Sequence, residues 1–352
     1  MGESVKPKEK RIFYISALNV VACMGVVLLH CNGIVWQFDK SYHWIFSWFI
    51  ETAMYWSVPI FIMITGATLM DYRNKYDTRT YFKKRILKVV IPYIIWSVVS
   101  ILWAKYYSEY LPADFSLDVR SVVDAILNIN TTVMPIYWFF PVIIGVYCLI
   151  PFVSYIPADK RMKAFGYIIG YQMICDVMRY VCYYAKVNYN YAFSNSFGGY
   201  IILAMVGWIL YTRDFTKKER YIIYVLGIIG WLFRFGIDGR RSWMLERVDS
   251  IYSGYYNFNI IMMSSAIFVL FKYIDWTYIQ NSLLGKLVVR LSSVSFGIYL
   301  IHYYIMYDLS EIMNVDTRLI RWIIPGAILV YILSVLVILV MKRIPFIRKA
   351  VP

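Results

Sequence analysis

Apolar positions dominate this chain, and their grouping into long runs is the first feature to read. A helix that crosses a hydrocarbon core of about 30 Å needs about 20 mainly apolar residues. Ten stretches meet or approach that length, at 13–36, 44–70, 86–107, 136–157, 164–181, 197–211, 221–237, 254–274, 288–308 and 320–341. The fifth to seventh are short or carry polar residues, so their ends are the least sharply drawn. All are too long and too continuously apolar for barrel strands, and a helix satisfies its own backbone hydrogen bonds. The first stretch has basic residues before it, lacks a small-residue cleavage site, and is longer than the apolar core of a signal peptide. It reads as a first transmembrane helix. The expected fold is an all-α polytopic membrane protein, a bundle of about ten transmembrane helices. It divides into a basic N-terminus (1–12), one transmembrane domain (13–341) and a basic tail (342–352).

Composition agrees. The 352 residues are 61% hydrophobic, 19% aromatic and 16% charged, whereas soluble chains run about 45–50% apolar and about 25% charged. Charge adds orientation. The net +15 sorts by side once the N-terminus is set inside: 25 of the 36 basic residues and 8 of the 21 acidic ones fall in the segments assigned to the cytoplasm. That is +17 inside and −2 outside, which by the positive-inside rule puts both termini in the cytoplasm of a cell-membrane protein. The excess is topological and makes no case for nucleic acid. The longest outer connection, about 108–135, carries an amphipathic stretch from Val119 to Ile129 that suits the membrane surface, a cap over an outward-facing cavity, or packing on the bundle. No internal repeat or appended soluble domain is visible. The five cysteines and three histidines show neither a disulfide framework nor metal spacing, so no metal is expected.

Ionisable groups inside apolar helices are costly and are functional candidates by default. His30 lies about 25 Å from the inner end of the first helix and His302 about 21 Å along the ninth, at 1.5 Å per residue. Both imidazoles thus fall in the outer half of the membrane. Glu51, entering from outside on the second helix, joins that layer, and Asp176 and Arg179 add a polar pair on the fifth. Each has a plainer reading. A helix histidine can serve only as an interhelical hydrogen-bonding group, Glu51 can mark the interface, and Asp176 and Arg179, three apart, suit a local ion pair. Together the layer suits general-base chemistry, with a histidine base oriented by a neighbouring carboxylate. On the inner side, Lys84, Arg85 and Lys88 form a basic helical face running into Val89-Val-Ile-Pro92. Topology and anionic lipid explain most such clusters, but this one also suits a phosphorylated cytoplasmic ligand.

Five segments in order carry a resemblance: Ile15 to His30; Val58-Pro-Ile-Phe-Ile-Met-Ile-Thr-Gly66; Tyr81-Phe-Lys-Lys-Arg-Ile-Leu-Lys-Val-Val-Ile-Pro92; Tyr137-Trp-Phe-Phe-Pro followed by Tyr147 and Pro151; and Ser295-Phe-Gly-Ile-Tyr-Leu-Ile-His302. Over about 11–342 the chain resembles the acyltransferase-3 family of integral membrane acyltransferases. The first segment looks like the family's first helix ending in its essential histidine. The family's usual aspartate and arginine in that helix are replaced by Ser16 and Asn19, and its second-helix serine by Thr65. Loss of that arginine shifts the holding of acyl-CoA phosphates to Arg85, Lys84 and Lys88, or else marks a divergent or inactive member.

The resemblance implies transfer of an acyl group, most often acetyl, from cytoplasmic acyl-CoA to a hydroxyl of an extracytoplasmic glycan or lipid-linked sugar. His30 is then the general base or an acyl carrier. Glu51 is expected to hold its tautomer, and His302 to donate to the thioester carbonyl or position the acceptor. Tyr137, Trp138, Asp176, Arg179 and the Tyr183–Tyr191 stretch are candidates for contact with sugar, although an interfacial aromatic belt explains the tyrosines as well. The implied partners are the bilayer, acyl-CoA and the glycan, and a homo-oligomer is compatible with the sequence. Two other readings stay open: a transporter or flippase for a glycan or acyl precursor, without the paired broken helices usual there, and a non-catalytic subunit of a polysaccharide machine.

Overall fold

The computed structural model describes residues 8–108, 111, 115–128, 133–190 and 199–352, and among them the chain is helical with no strand. The principal helices are α1 (Lys8–His30), α2 (Tyr42–Met54), α3 (Ser57–Leu69), α4 (Thr78–Arg85), α5 (Ile91–Trp103), α6 (Val119–Leu127), α7 (Phe139–Val153), α8 (Ala158–Tyr184), α9 (Ile201–Thr212), α10 (Lys217–Leu232), α11 (Gly239–Leu245), α12 (Phe258–Tyr273), α13 (Leu283–Ser292), α14 (Ser295–Ile312) and α15 (Ile320–Met341). Each of the ten apolar stretches contains a helix. Among the described residues, six helical segments are long and apolar enough to cross a membrane, and seven if α13 and α14, bent by 72° at their junction, count as one. The expected count of ten is therefore not reached by length and apolarity alone: α9 and α12 are apolar but short.

Burial explains α9. Nine of its twelve residues, including Ile201 to Trp208 without a break, are buried; a helix apolar all round belongs in a core. Its neighbour α3 approaches backbone to backbone. A Cβ on Gly207 would lie 2.0 Å from the Met63 carbonyl oxygen, and one on Gly66 would lie 1.8 Å from that of Ala204. Without a hydrophobic drive between helices in lipid, such close packing at small residues is what holds them together.

Two units emerge. The first takes residues to Met70 and from Ile156 to Val335, and the second takes Asp71–Tyr155 and Leu336–Pro352. In the first, α1 packs against α3, α12, α13 and α14. In the second, the Tyr93 hydroxyl on α5 donates to the Ile126 carbonyl at 2.6 Å, which fastens α6. Asp118 caps that helix, and the Ser121 N–H it accepts holds its carboxyl down at about 2. The amphipathic stretch is thus a helix over 119–127, with Val119, Val123 and Leu127 exposed along one stripe; Ile129 lies outside the described residues.

Gly207→Ala should force α3 and α9 apart. Overpacking of this kind costs about 1–3 kcal/mol, read as a lower melting temperature of the purified protein; unchanged melting would show that the contact is not tight.

Candidate active site

The site grows from two helices running the same way. Cys23 on α1 lies 3.7 Å from the Ser295 carbonyl on α14, and seven residues further along each helix His30 Nδ1 lies 2.8 Å from His302 Nε2. Two contacts with the same offset mean parallel helices in register, and seven residues return both side chains to the same face. His30 is the last residue of α1 and is half-buried; His302 is fully buried.

The protons in this pair follow from one partner. His302 Nδ1 lies 3.0 Å from the Ile298 carbonyl. A carbonyl only accepts, so Nδ1 of His302 carries hydrogen. The neutral ring then has an accepting Nε2, to which His30 Nδ1 donates. His30 is left with its lone pair on Nε2. The chain from Ile298 through both rings therefore leaves one nitrogen of the pair, His30 Nε2, with an unshared lone pair.

Glu51 belongs to the same layer but has another partner. Asn32 Nδ2 donates to the Ser47 carbonyl at 2.9 Å and Ser47 Oγ to Asn32 Oδ1 at 2.7 Å. Lower down, a Cβ on Gly25 would meet Ser57 Oγ at 2.1 Å. The α2–α3 segment thus descends antiparallel to α1, with Asn32 beside Ser47 and Gly25 beside Ser57. Glu51 falls level with Leu29–His30. Its carboxylate accepts from Arg234 Nη2 at 3.2 Å, and both side chains are almost wholly buried. The partner that the structure shows for Glu51 is Arg234, and the ring within bonding distance of His30 is that of His302. In that tautomer His302 Nε2 is an acceptor, and the hydrogen of the ring lies on Nδ1, toward Ile298.

Arg234 was not singled out by the sequence, where it falls near the outer end of the 221–237 stretch. It stands in a π-helical segment, Phe233–Asp238, between α10 and α11. Its guanidinium carbon lies 3.2 Å from the centroid of the Tyr55 ring, at the break between α2 and α3. An arginine inside an apolar run was the available signal.

Asp176 and Arg179 form the foreseen local ion pair, at 2.8 Å. Asp176 also accepts from the Phe258 N–H at 2.7 Å, and Arg179 reaches Asn257 Oδ1 at 3.2 Å. Both contacts tie α8 to the start of α12. Tyr137 is fully buried, its hydroxyl 3.4 Å from the Trp96 carbonyl and its ring edge-on to Phe140. Trp138 is half-buried. Tyr183 accepts from Arg241 at 2.8 Å, and Tyr191 lies outside the described residues.

The basic cluster belongs to the second unit. A π-helical segment over Ile86–Val90 follows α4, so the continuous face expected across Lys84, Arg85 and Lys88 is interrupted. Arg85 is half-buried between the rings of Tyr81 and Tyr147, at 5.9 and 5.5 Å, with no protein partner for its buried Nε. Lys84 lies over Tyr76 at 3.9 Å, and both lysines are exposed.

Glu51→Ala would leave Arg234 charged and buried. Breaking a buried pair in this way costs about 3–5 kcal/mol, so the solubilised variant should melt well below the unsubstituted protein; equal melting would mean that the pair bears no structural weight.

A family model described as an acyltransferase domain, acyltransferase-3, matches residues 12–343, nearly the whole chain. No curated protein and no solved structure matches.

Proposed function

The chain belongs to the acyltransferase-3 family, and on that premise we propose that it moves an acyl group, acetyl in the simplest case, from cytoplasmic acyl-CoA to a hydroxyl of an extracytoplasmic glycan or glycolipid. Membership in a family of acyltransferases favours transfer chemistry over the export and subunit readings. The observation that carries the proposal is the Ile298–His302–His30 chain, which leaves a histidine lone pair at the C-terminal end of a helix long and apolar enough to cross a membrane.

The mechanism follows from that lone pair. His30 Nε2 takes the proton of the acceptor hydroxyl as its oxygen attacks the thioester carbonyl. The tetrahedral adduct collapses, the carbon–sulfur bond breaks, and the thiolate of CoA recovers the proton from His30. Ester and free CoA result. The imidazolium formed in between is stabilised because Nδ1–H remains bonded to His302 Nε2 throughout. The same Nε2 is the atom that would attack the thioester in an acyl-histidine route. His302 is thus a positioning residue that fixes which nitrogen reacts.

The acyl donor is assigned to the cytoplasmic basic cluster. Arg85, backed by two tyrosine rings and with a buried Nε lacking a protein partner, suits a phosphate of CoA; Lys84 and Lys88 add charge beside it. The asymmetry of basic residues supports cytoplasmic termini and a cell-membrane location.

His30→Ala should abolish acyl esters on surface glycans while the protein stays at normal level in the membrane. Mass spectrometry of those glycans reads this directly: retained ester increments would remove His30 from the chemistry, and loss of the whole glycan would favour export. His302→Phe, which keeps a ring but no acceptor for His30 Nδ1, should lower acylation about 100-fold; activity within a few fold would refute the positioning role. Arg85→Ala should raise the acyl-CoA concentration needed for half-maximal rate about tenfold or more, as for loss of a charged hydrogen bond. An unchanged dependence would leave the cluster a topological role only.

A further inference from the structure

We propose that the Arg234–Glu51 pair is the core of an acceptor subsite for the hydroxyl groups of an uncharged sugar; this rests on the acyltransfer reading and specifies its acceptor. Arg234 is 1% exposed. Only Nη2 is bonded, to Glu51, and neither Nε nor Nη1 has a protein partner. The guanidinium carbon lies 3.2 Å from the centre of the Tyr55 ring, and Tyr255 stacks on that ring at 4.3 Å and 12°, which by sterics is its opposite face. The arginine is held in place, with donors left over.

An acceptor is left over nearby. Asn259, the second residue of α12, is fully buried; its Nδ2 donates to the Tyr252 carbonyl at 3.1 Å, while its Oδ1 has no protein partner. This part of α12 packs on the element carrying Arg234: Phe258 meets Phe233 edge-on at 5.4 Å, and the Asn259 carbonyl would be 2.3 Å from a Cβ on Gly230, one turn before Arg234. Buried donors and acceptors without partners are costly where water is scarce. Here both kinds occur in one packed neighbourhood, at the depth of His30, in a π-helical segment of the kind that recurs at functional sites.

The charge balance selects the ligand class. Glu51 offsets Arg234, and Asp238, four residues on and fully buried, adds a further carboxyl group. The cluster offers no net positive charge to a phosphate or a uronate. A hydroxyl both accepts and donates, which matches the free N–H groups of Arg234 and the free Oδ1 of Asn259. The segment 246–257 covers the cluster: the Tyr55 hydroxyl donates to the Ser253 carbonyl at 2.6 Å, and the Tyr252 N–H donates to Asp238 at 3.0 Å. Displacement of that segment is what admits a sugar.

Arg234→Lys keeps the charge beside Glu51 but removes the guanidinium N–H groups. Two quantities are read: binding of CoA to the purified full-length protein, and ester content with ester position in surface glycans of producing cells. The expected result is CoA binding within twofold of the unsubstituted protein, esters reduced at least tenfold, and the residual ester on an uncharged sugar. Asn259→Ser, which withdraws Oδ1 without adding charge, is the second variant, and it decides the matter if Arg234→Lys does not accumulate in the membrane. Esters within twofold of normal, CoA binding that falls in parallel with them, or an ester on a uronate or phosphorylated residue would overturn the subsite. If the unsubstituted protein neither binds CoA nor esterifies glycans, the acyltransfer reading itself falls. If it does both and the two variants behave normally, only the subsite falls.

Discussion

The Ile298 carbonyl oxygen can accept a hydrogen bond but never donate one, and the chemistry assigned to this protein depends on that asymmetry. It places hydrogen on His302 Nδ1, makes His302 Nε2 an acceptor, directs His30 Nδ1 toward it and frees His30 Nε2. A histidine whose tautomer is set by a backbone group needs no carboxylate to orient it. The constraint is mechanical as well as electronic, because it works only while α1 and α14 stay in parallel register, and the Cys23–Ser295 contact two turns lower keeps the same offset.

A second constraint organises the rest of the layer. Charges removed from water must be paired, and the pairing of Glu51 with Arg234 joins α2 to the π-helical segment after α10, across 183 residues of sequence. The same pair sits where α2 breaks into α3, so Tyr55 can lie under the guanidinium. The layer therefore holds two polar pairs of different character. The histidine pair is neutral and can move a proton; the ion pair is fixed and has hydrogen-bonding capacity to spare. The proposed acyl transfer to a sugar hydroxyl would use both, one to activate the oxygen and the other to hold the ring that carries it.

Much of this was legible because polar residues stand out in apolar runs. His30, His302 and Glu51 could be placed at one depth by counting 1.5 Å per residue, and the antiparallel register of α1 with α2–α3 agrees with that count. Partner choice was not legible. Glu51 was assigned to His30, but its counter-charge comes from Arg234, which looked like an ordinary charge near a helix end. Depth follows from local periodicity, whereas pairing depends on lateral packing among helices distant in the chain. The π-helical segment after Arg85 likewise has no marker in Ile86-Leu-Lys-Val-Val90, so the basic face seemed continuous. The ends of the short 197–211 stretch were not sharply drawn, and the burial of α9 against α3 explains why it is both short and uniformly apolar.

Nitrogen-15 solid-state NMR of the histidine-labelled protein in lipid, with His30 and His302 assigned through single substitutions, tests the central claim most directly. The account predicts that at neutral pH both rings are neutral, with hydrogen on Nδ1 and a bare Nε2. A proton found on Nε2 of His30 would contradict it, because the nitrogen assigned as the base would then have no lone pair to offer.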